Sequence, residues 1–110
     1  AVKNLSLTLE KQKKAIRGEW AIQISEFLLG NIDENAFIKA ANNDNKKIQL
    51  KQLCEAFFYT AQIHLLNGDE SQAKEYLKKC IGTGESQFYE FKGAVIQLNL
   101  RFRDDVVQTP

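Results

Sequence analysis

Methionine is absent from this 110-residue chain, proline and histidine occur once each, and cysteine only twice. Each scarcity excludes something. The one proline is the last residue, so no ring interrupts a helix anywhere before it. Two cysteines allow at most one disulfide, which rules out a small fold held together by several bridges. No apolar run approaches the roughly 18 residues that a membrane-spanning helix requires. No basic, apolar and small-residue succession marks a targeting signal at the start. A chain that begins at Ala1 without methionine reads as a mature form, a trimmed version or a fragment, so the missing signal leaves the compartment open. The formal net charge of +1 gives no field for gripping a polyanion, and nucleic acid is not an expected partner.

Catalytic and cofactor chemistry is equally sparse. His64 has no neighbouring nucleophile or carboxylate in a recognisable motif, and it reads as a half-buried structural residue. Cys54, Cys80 and His64 could in principle supply three zinc ligands, but their spacing fits no finger. Glu10, Glu19, Glu26, Asp33 and Glu34 are scattered as solvated helix charges and caps. Gly82-Thr83-Gly84 lacks the Lys-Ser/Thr that completes a phosphate loop, which leaves it as a helix break. Lys11, Lys13, Lys14 and Arg17 cluster at a helix start and read as solvated charge, with an acidic partner or a membrane surface as the other reading. The expectation is a protein with no catalytic site, metal or cofactor.

What the chain does contain is helical periodicity. Residues 1–9 alternate briefly and read as an extended lead-in, with Ser6 or Thr8 available as a cap. From about residue 10 to 29, Ile16, Trp20, Ile24, Phe27 and Leu28 make one helical face, ended by Gly30. A short second helix, capped by Asn31 or Asp33, carries Ala36, Phe37, Ala40 and Ala41 as its apolar face before an Asn-rich run at 42–45. A third spans 46–66, with Ile48, Leu50, Leu53, Phe57, Ala61 and His64 or Leu65 as its buried stripe. A fourth, capped by Asp69 or Ser71, covers about 70–81. The fifth, which Ser86 can cap, covers about 87–102 and places Phe91, Ala94, Val95 and Leu98 on one side; residues 103–110 read as a frayed tail.

Within this series, residues 54–85 form a unit. Counting Cys54 as the first position, Phe57, Ala61, Ala73, Leu77 and Cys80 fall at positions 4, 8, 20, 24 and 27, with the turn Asn67-Gly68-Asp69 between the two helices. A large residue at 4, small ones at 8, 20 and 27 and a large one at 24 resemble the tetratricopeptide repeat, a helix pair that stacks on its neighbours. Thr60 stands where that pattern has Leu, and Glu85 where Pro usually closes it. Gly30-Asn31 precedes Gly68-Asp69 by 38 residues, about four more than the repeat period of roughly 34. Thirty-four residues beyond Cys54 comes Phe88, so Phe91, Ala94 and Val95 occupy first-helix positions of a following unit. The expected fold is all-α: a stack of antiparallel helix pairs in a single domain at 10–102. It comprises a degenerate unit at 10–45, a well-formed repeat at 54–85 and a capping helix at 87–102. Cys54 and Cys80 lie at neighbouring ends of the repeat, either as small packing residues or, in an oxidising compartment, as a disulfide.

The string Trp-Ala-Ile-Gln-Ile-Ser-Glu-Phe-Leu-Leu-Gly-Asn at 20–31 resembles the C-terminal half of the new lipoprotein I family, repeat-containing outer-membrane lipoproteins of Gram-negative bacteria. The likeness continues through Ala56-Phe57-Phe58-Tyr59, the turn at 67–69, Phe88-Tyr89-Glu90-Phe91 and Ala94, and takes in the long Asn-rich gap. The resemblance implies a periplasmic or outer-membrane-associated adaptor for proteases and peptidoglycan hydrolases; without it, a cytoplasmic location is expected. The family's lipid-attachment Cys and N-terminal repeats have no counterpart in this sequence, and Cys54 and Cys80 do not belong to its pattern.

A repeat of this class exposes an inner groove at first-helix positions 2, 5, 9 and 12. Here those are Glu55, Phe58, Gln62 and Leu65, followed by Tyr89, Lys92, Ile96 and Asn99 on the last helix. Three consecutive aromatics at 57–59 cannot share one buried stripe, so at least one is expected to be exposed or semi-exposed and to offer a binding anchor. The function expected is protein–protein interaction, with a protein or peptide as partner. Dimerisation through the open ends of a short stack is the alternative.

Overall fold

The computed structural model describes residues 18–102, and among them every regular element is an α-helix. In chain order these are α1 (Glu19–Leu28), α2 (Glu34–Ala40), α3 (Lys46–Leu66), α4 (Glu70–Gly82) and α5 (Tyr89–Arg101). They fall into two compact units, the first ending at Ala40 and the second beginning at Ala41. The expected lead-in, the basic cluster at 11–17 and the tail at 103–110 lie outside the described residues.

In the first unit α1 packs on α2. The spacing of Trp20, Ile24 and Phe27 along α1 puts all three on its buried side. Phe37 of α2 lies fully buried between two rings, its plane within 6° of Trp20 and 7° of Phe27 at centroid separations of 5.3 and 4.1 Å. Burial of such a side chain contributes roughly 1.5–3 kcal/mol. Gly30 ends α1 at a φ of 82°, with its N–H donating to the Phe27 carbonyl and that of Asn31 to the Glu26 carbonyl. These paired bonds satisfy the last carbonyls of the helix. Asp33 caps α2 by accepting from the Ala36 N–H at 2.8 Å.

Two expectations need correction here. A single helix from 10 to 29 does not form, because Gly18 has a non-helical φ of 69° and α1 starts behind it at Glu19. Ala36 is exposed although it was placed on the apolar face. It lies one position from Phe37, about 100° around the helix, and cannot share that residue's side.

In the second unit α3 and α4 form a hairpin. Asn45 opens α3 by accepting from the N–H groups of Lys47 and Ile48. Gly68, at φ 79°, closes the helix with the same pair of bonds seen at Gly30, from Gly68 to Leu65 and from Asp69 to His64. Asp69 then caps α4 through Gln72. α5 packs against both helices of the hairpin. The core is built from fully buried Cys54, Ala61, Leu77, Cys80, Ala94 and Leu98, surrounded by half-buried rings that include Phe57, Phe58, Phe91 and Phe102.

Ile48 and Leu50 are exposed rather than part of the buried stripe. The cause is length: α3 has 21 residues and α4 has 13. Joined at one end, they leave about two turns of α3 beyond the end of its partner. Nor does Ser86 cap the last helix. Its N–H donates to Gly84, and α5 starts at Tyr89 behind Phe88, which supplies no side-chain cap. Among the described residues, no helix is long and apolar enough to cross a membrane.

Candidate functional site

The eight groove positions expected from the sequence separate into two groups. Those on α3 are engaged within the chain, whereas three of the four on α5 are exposed.

On α3, Glu55 is only 3% exposed and offers nothing to a partner. Gln62 and Gln97 pair reciprocally, each amide donating to the other's oxygen at 2.7 and 2.9 Å. One turn away, the Tyr59 hydroxyl donates to Glu90 Oε2 at 2.9 Å. Phe58 stands edge-on to Tyr59, with centroids 5.4 Å apart, and its ring lies over Gly93 of α5. A Cβ at position 93 would come within 2.9 Å of Phe58 Cε1. Phe58 and Gln62 therefore form the seam between α3 and α5, and Leu65 is half-buried. The aromatics at 57–59 are all half-buried, within the semi-exposure expected of at least one of them.

On α5 the balance is reversed. Tyr89 is 88% exposed, Ile96 56% and Leu100 67%. Intervals of seven and eleven residues bring these three side chains onto one line of the helix. Lys92 is exposed about 60° around from that line, and Asn99 is half-buried. Ala94 and Leu98, on the opposite side, are fully buried. The exposed residues of α5 are Tyr89, Lys92, Ile96, Leu100 and Arg101, three apolar and two basic with no acid among them. Glu90 is held inward by Tyr59.

Sequence reasoning reached Tyr89, Lys92 and Ile96 through repeat positions but missed Leu100, Gly93 and Gln97. Leu100 had a signal, since its spacing from Ile96 and Tyr89 is helical. Gly93 had one too: a glycine inside a helix commonly marks a close approach. Gln97 had none, because its role depends on the register between α3 and α5.

His64 stacks on Tyr76 at 5.6 Å with its ring within 6° of parallel, and its Nδ1 lies 3.8 Å from Asp69 Oδ2. Lys79 Nζ sits 4.9 Å above the same Tyr76 ring, a cation–π arrangement. His64 is ten positions beyond Cys54 on α3, about 15 Å at the helical rise, so the three residues weighed as metal ligands do not converge. An open polar recess of about 400 Å³ is lined by Asn42, Asn43, Asp44 and Gln49, in the Asn-rich segment before and into α3. Its loop is held by its own amides, with Asn43 N–H donating to Gln49 and Asn45 N–H to Asn43.

No family model matches the chain, and no solved structure matches it.

Proposed function

We propose that this chain is a non-enzymatic protein–protein interaction module of the tetratricopeptide type. It would serve as an adaptor that binds a protein or peptide along the outer side of α5. The observation that carries the reading is the line of Tyr89, Ile96 and Leu100, exposed on a helix whose other side is fully buried. Large apolar side chains in contact with water on one face mark a surface that gains by being covered. The repeat assignment is supported by the hairpin: Ala61, Ala73, Leu77 and Cys80, at the expected positions, are all fully buried between α3 and α4. Resemblance to the new lipoprotein I family extends the proposal to a cell-envelope adaptor for proteases or peptidoglycan hydrolases.

The binding face proposed is narrower than a repeat groove. Tyr89, Lys92 and Ile96 stay in it, Leu100 joins it, and Glu55, Phe58 and Gln62 leave it because they are occupied within the fold. Selection of a displayed peptide library against the full chain tests the reading. The expected result is a convergent set of peptides with apolar anchors, whose enrichment is lost with Ile96→Asp. Failure to enrich any peptide over an unrelated helical protein, or enrichment that ignores Ile96→Asp, contradicts it.

The same exposed line also serves the second reading, dimerisation between copies. Lys92 has no acid beside it on that face, so a second copy would bring cations together without relief. Sedimentation at micromolar concentration separates the two: a monomer excludes the dimer.

A further inference from the structure

Cys54 on α3 and Cys80 on α4 stand 26 positions apart in the chain, and their Sγ atoms are 3.6 Å apart. Both are free thiols and both are fully buried. Two thiols on different helices and in contact form a dithiol rather than two packing residues that happen to be sulfur. We propose that Cys54 and Cys80 are a reversible oxidation site, at which a small peroxide closes a disulfide that fastens α3 to α4.

The geometry leaves little to be moved. A disulfide holds its sulfurs about 2.05 Å apart, so closure requires an approach of about 1.5 Å. Rotation of the two side chains can supply much of it. Small, fully buried Ala61 and Ala73 flank the hairpin seam, while Leu77 and the Phe57, His64 and Tyr76 rings hold the helix spacing. Side-chain rotation rather than helix approach therefore brings the sulfurs together. With Cys80 donating, hydrogen bonding holds the Cys54 thiol below its ordinary range, while that bond and burial push Cys80 far above it. Either sulfur can donate the shared hydrogen bond, so attack by Cys54 with resolution by Cys80, or the reverse order, closes the same disulfide.

The steps balance with hydrogen peroxide as the oxidant. In the first order, the Cys54 thiolate attacks one peroxide oxygen, the O–O bond breaks, and hydroxide leaves with the electron pair and takes up the proton that Cys54 released. Cys54 is now a sulfenic acid. The Cys80 sulfur then attacks Cys54 Sγ, its proton passes to the departing oxygen, and water leaves. Two thiols and one peroxide become one disulfide and two waters. Burial of both sulfurs selects a small oxidant over a bulky disulfide reagent.

Full-length protein, first reduced, is exposed to a slight excess of hydrogen peroxide and followed by intact mass, peptide mapping and thermal melting. The expected product has lost two hydrogens and yields a Cys54–Cys80 linked peptide. It melts roughly 5–15 °C higher than the reduced protein, and treatment with dithiothreitol in urea followed by refolding reverses all three changes. With Cys80→Ala, Cys54 should gain a single oxygen, read by intact mass as the sulfenic acid. The wild-type measurements decide the matter even if that variant does not fold. The proposal is overturned if the native chain keeps both thiols under conditions that oxidise the urea-unfolded chain. Intermolecular dimers, or a linked product that melts no higher, would also overturn it.

Discussion

Thr60 is fully buried on α3, and its hydroxyl oxygen makes no hydrogen bond among the described residues. A buried hydroxyl left unpaired costs roughly 1–3 kcal/mol, and valine has nearly the same shape without that cost. Thr60→Val should raise unfolding stability by about 1 kcal/mol in urea titration; a neutral or destabilising result would mean that the hydroxyl is satisfied. The Gln62–Gln97 pair carries the opposite expectation. Gln62→Ala should cost about 1–2 kcal/mol because the Gln97 amide loses both of its bonds. Gln62→Ala combined with Gln97→Ala should cost less than the two singles together, and strict additivity would show that the pair does not couple. At this scale the small residues of the hairpin were legible, since Ala61, Ala73 and Cys80 are spaced for its inner side and are fully buried. Glu55 and Phe58 were not. A position number gives a side of a helix, but only the neighbouring helix decides whether that side is open.

Helix α5 depends for its seat on Gly93, over which the Phe58 ring lies. A side chain there must displace the ring or lift the helix. Overpacking of this kind costs about 1–3 kcal/mol, and leucine exceeds what its better helix propensity returns. Gly93→Leu should therefore lower the urea midpoint and weaken hydrogen-exchange protection in 89–101 more than in 70–82. Unchanged protection would remove Gly93 from its proposed place. Element by element, the caps and turns were the readable part. Asn45, Gly68 and Asp69 act locally, and their hydrogen bonds close within a few residues. The start of α5 differs because Ser86 has the chemistry of a cap, yet the helix begins at Tyr89 and the capping position falls to Phe88, two residues further on. Helix length misled in another way. Periodicity runs evenly along α3, but α4 is too short to cover Ile48 and Leu50.

For the molecule as a whole, the all-helical architecture and the α3–α4 hairpin follow from periodicity, the lack of internal proline and the turn Asn67-Gly68-Asp69. The division at Ala40–Ala41 does not, because the Asn-rich run reads equally well as a long loop inside one domain. What the fold presents outward is the line along α5, and that is where the interaction account stands or falls. The decisive measurement is calorimetric titration of a library-selected peptide into the wild-type chain, Ile96→Asp and Gln62→Ala, with a melting curve for each. The account predicts that Ile96→Asp weakens binding at least about tenfold, equivalent to about 1.4 kcal/mol, without lowering the melting temperature. It predicts that Gln62→Ala lowers the melting temperature but still binds. Undiminished affinity in Ile96→Asp, or binding abolished by Gln62→Ala in a fully folded chain, would contradict it.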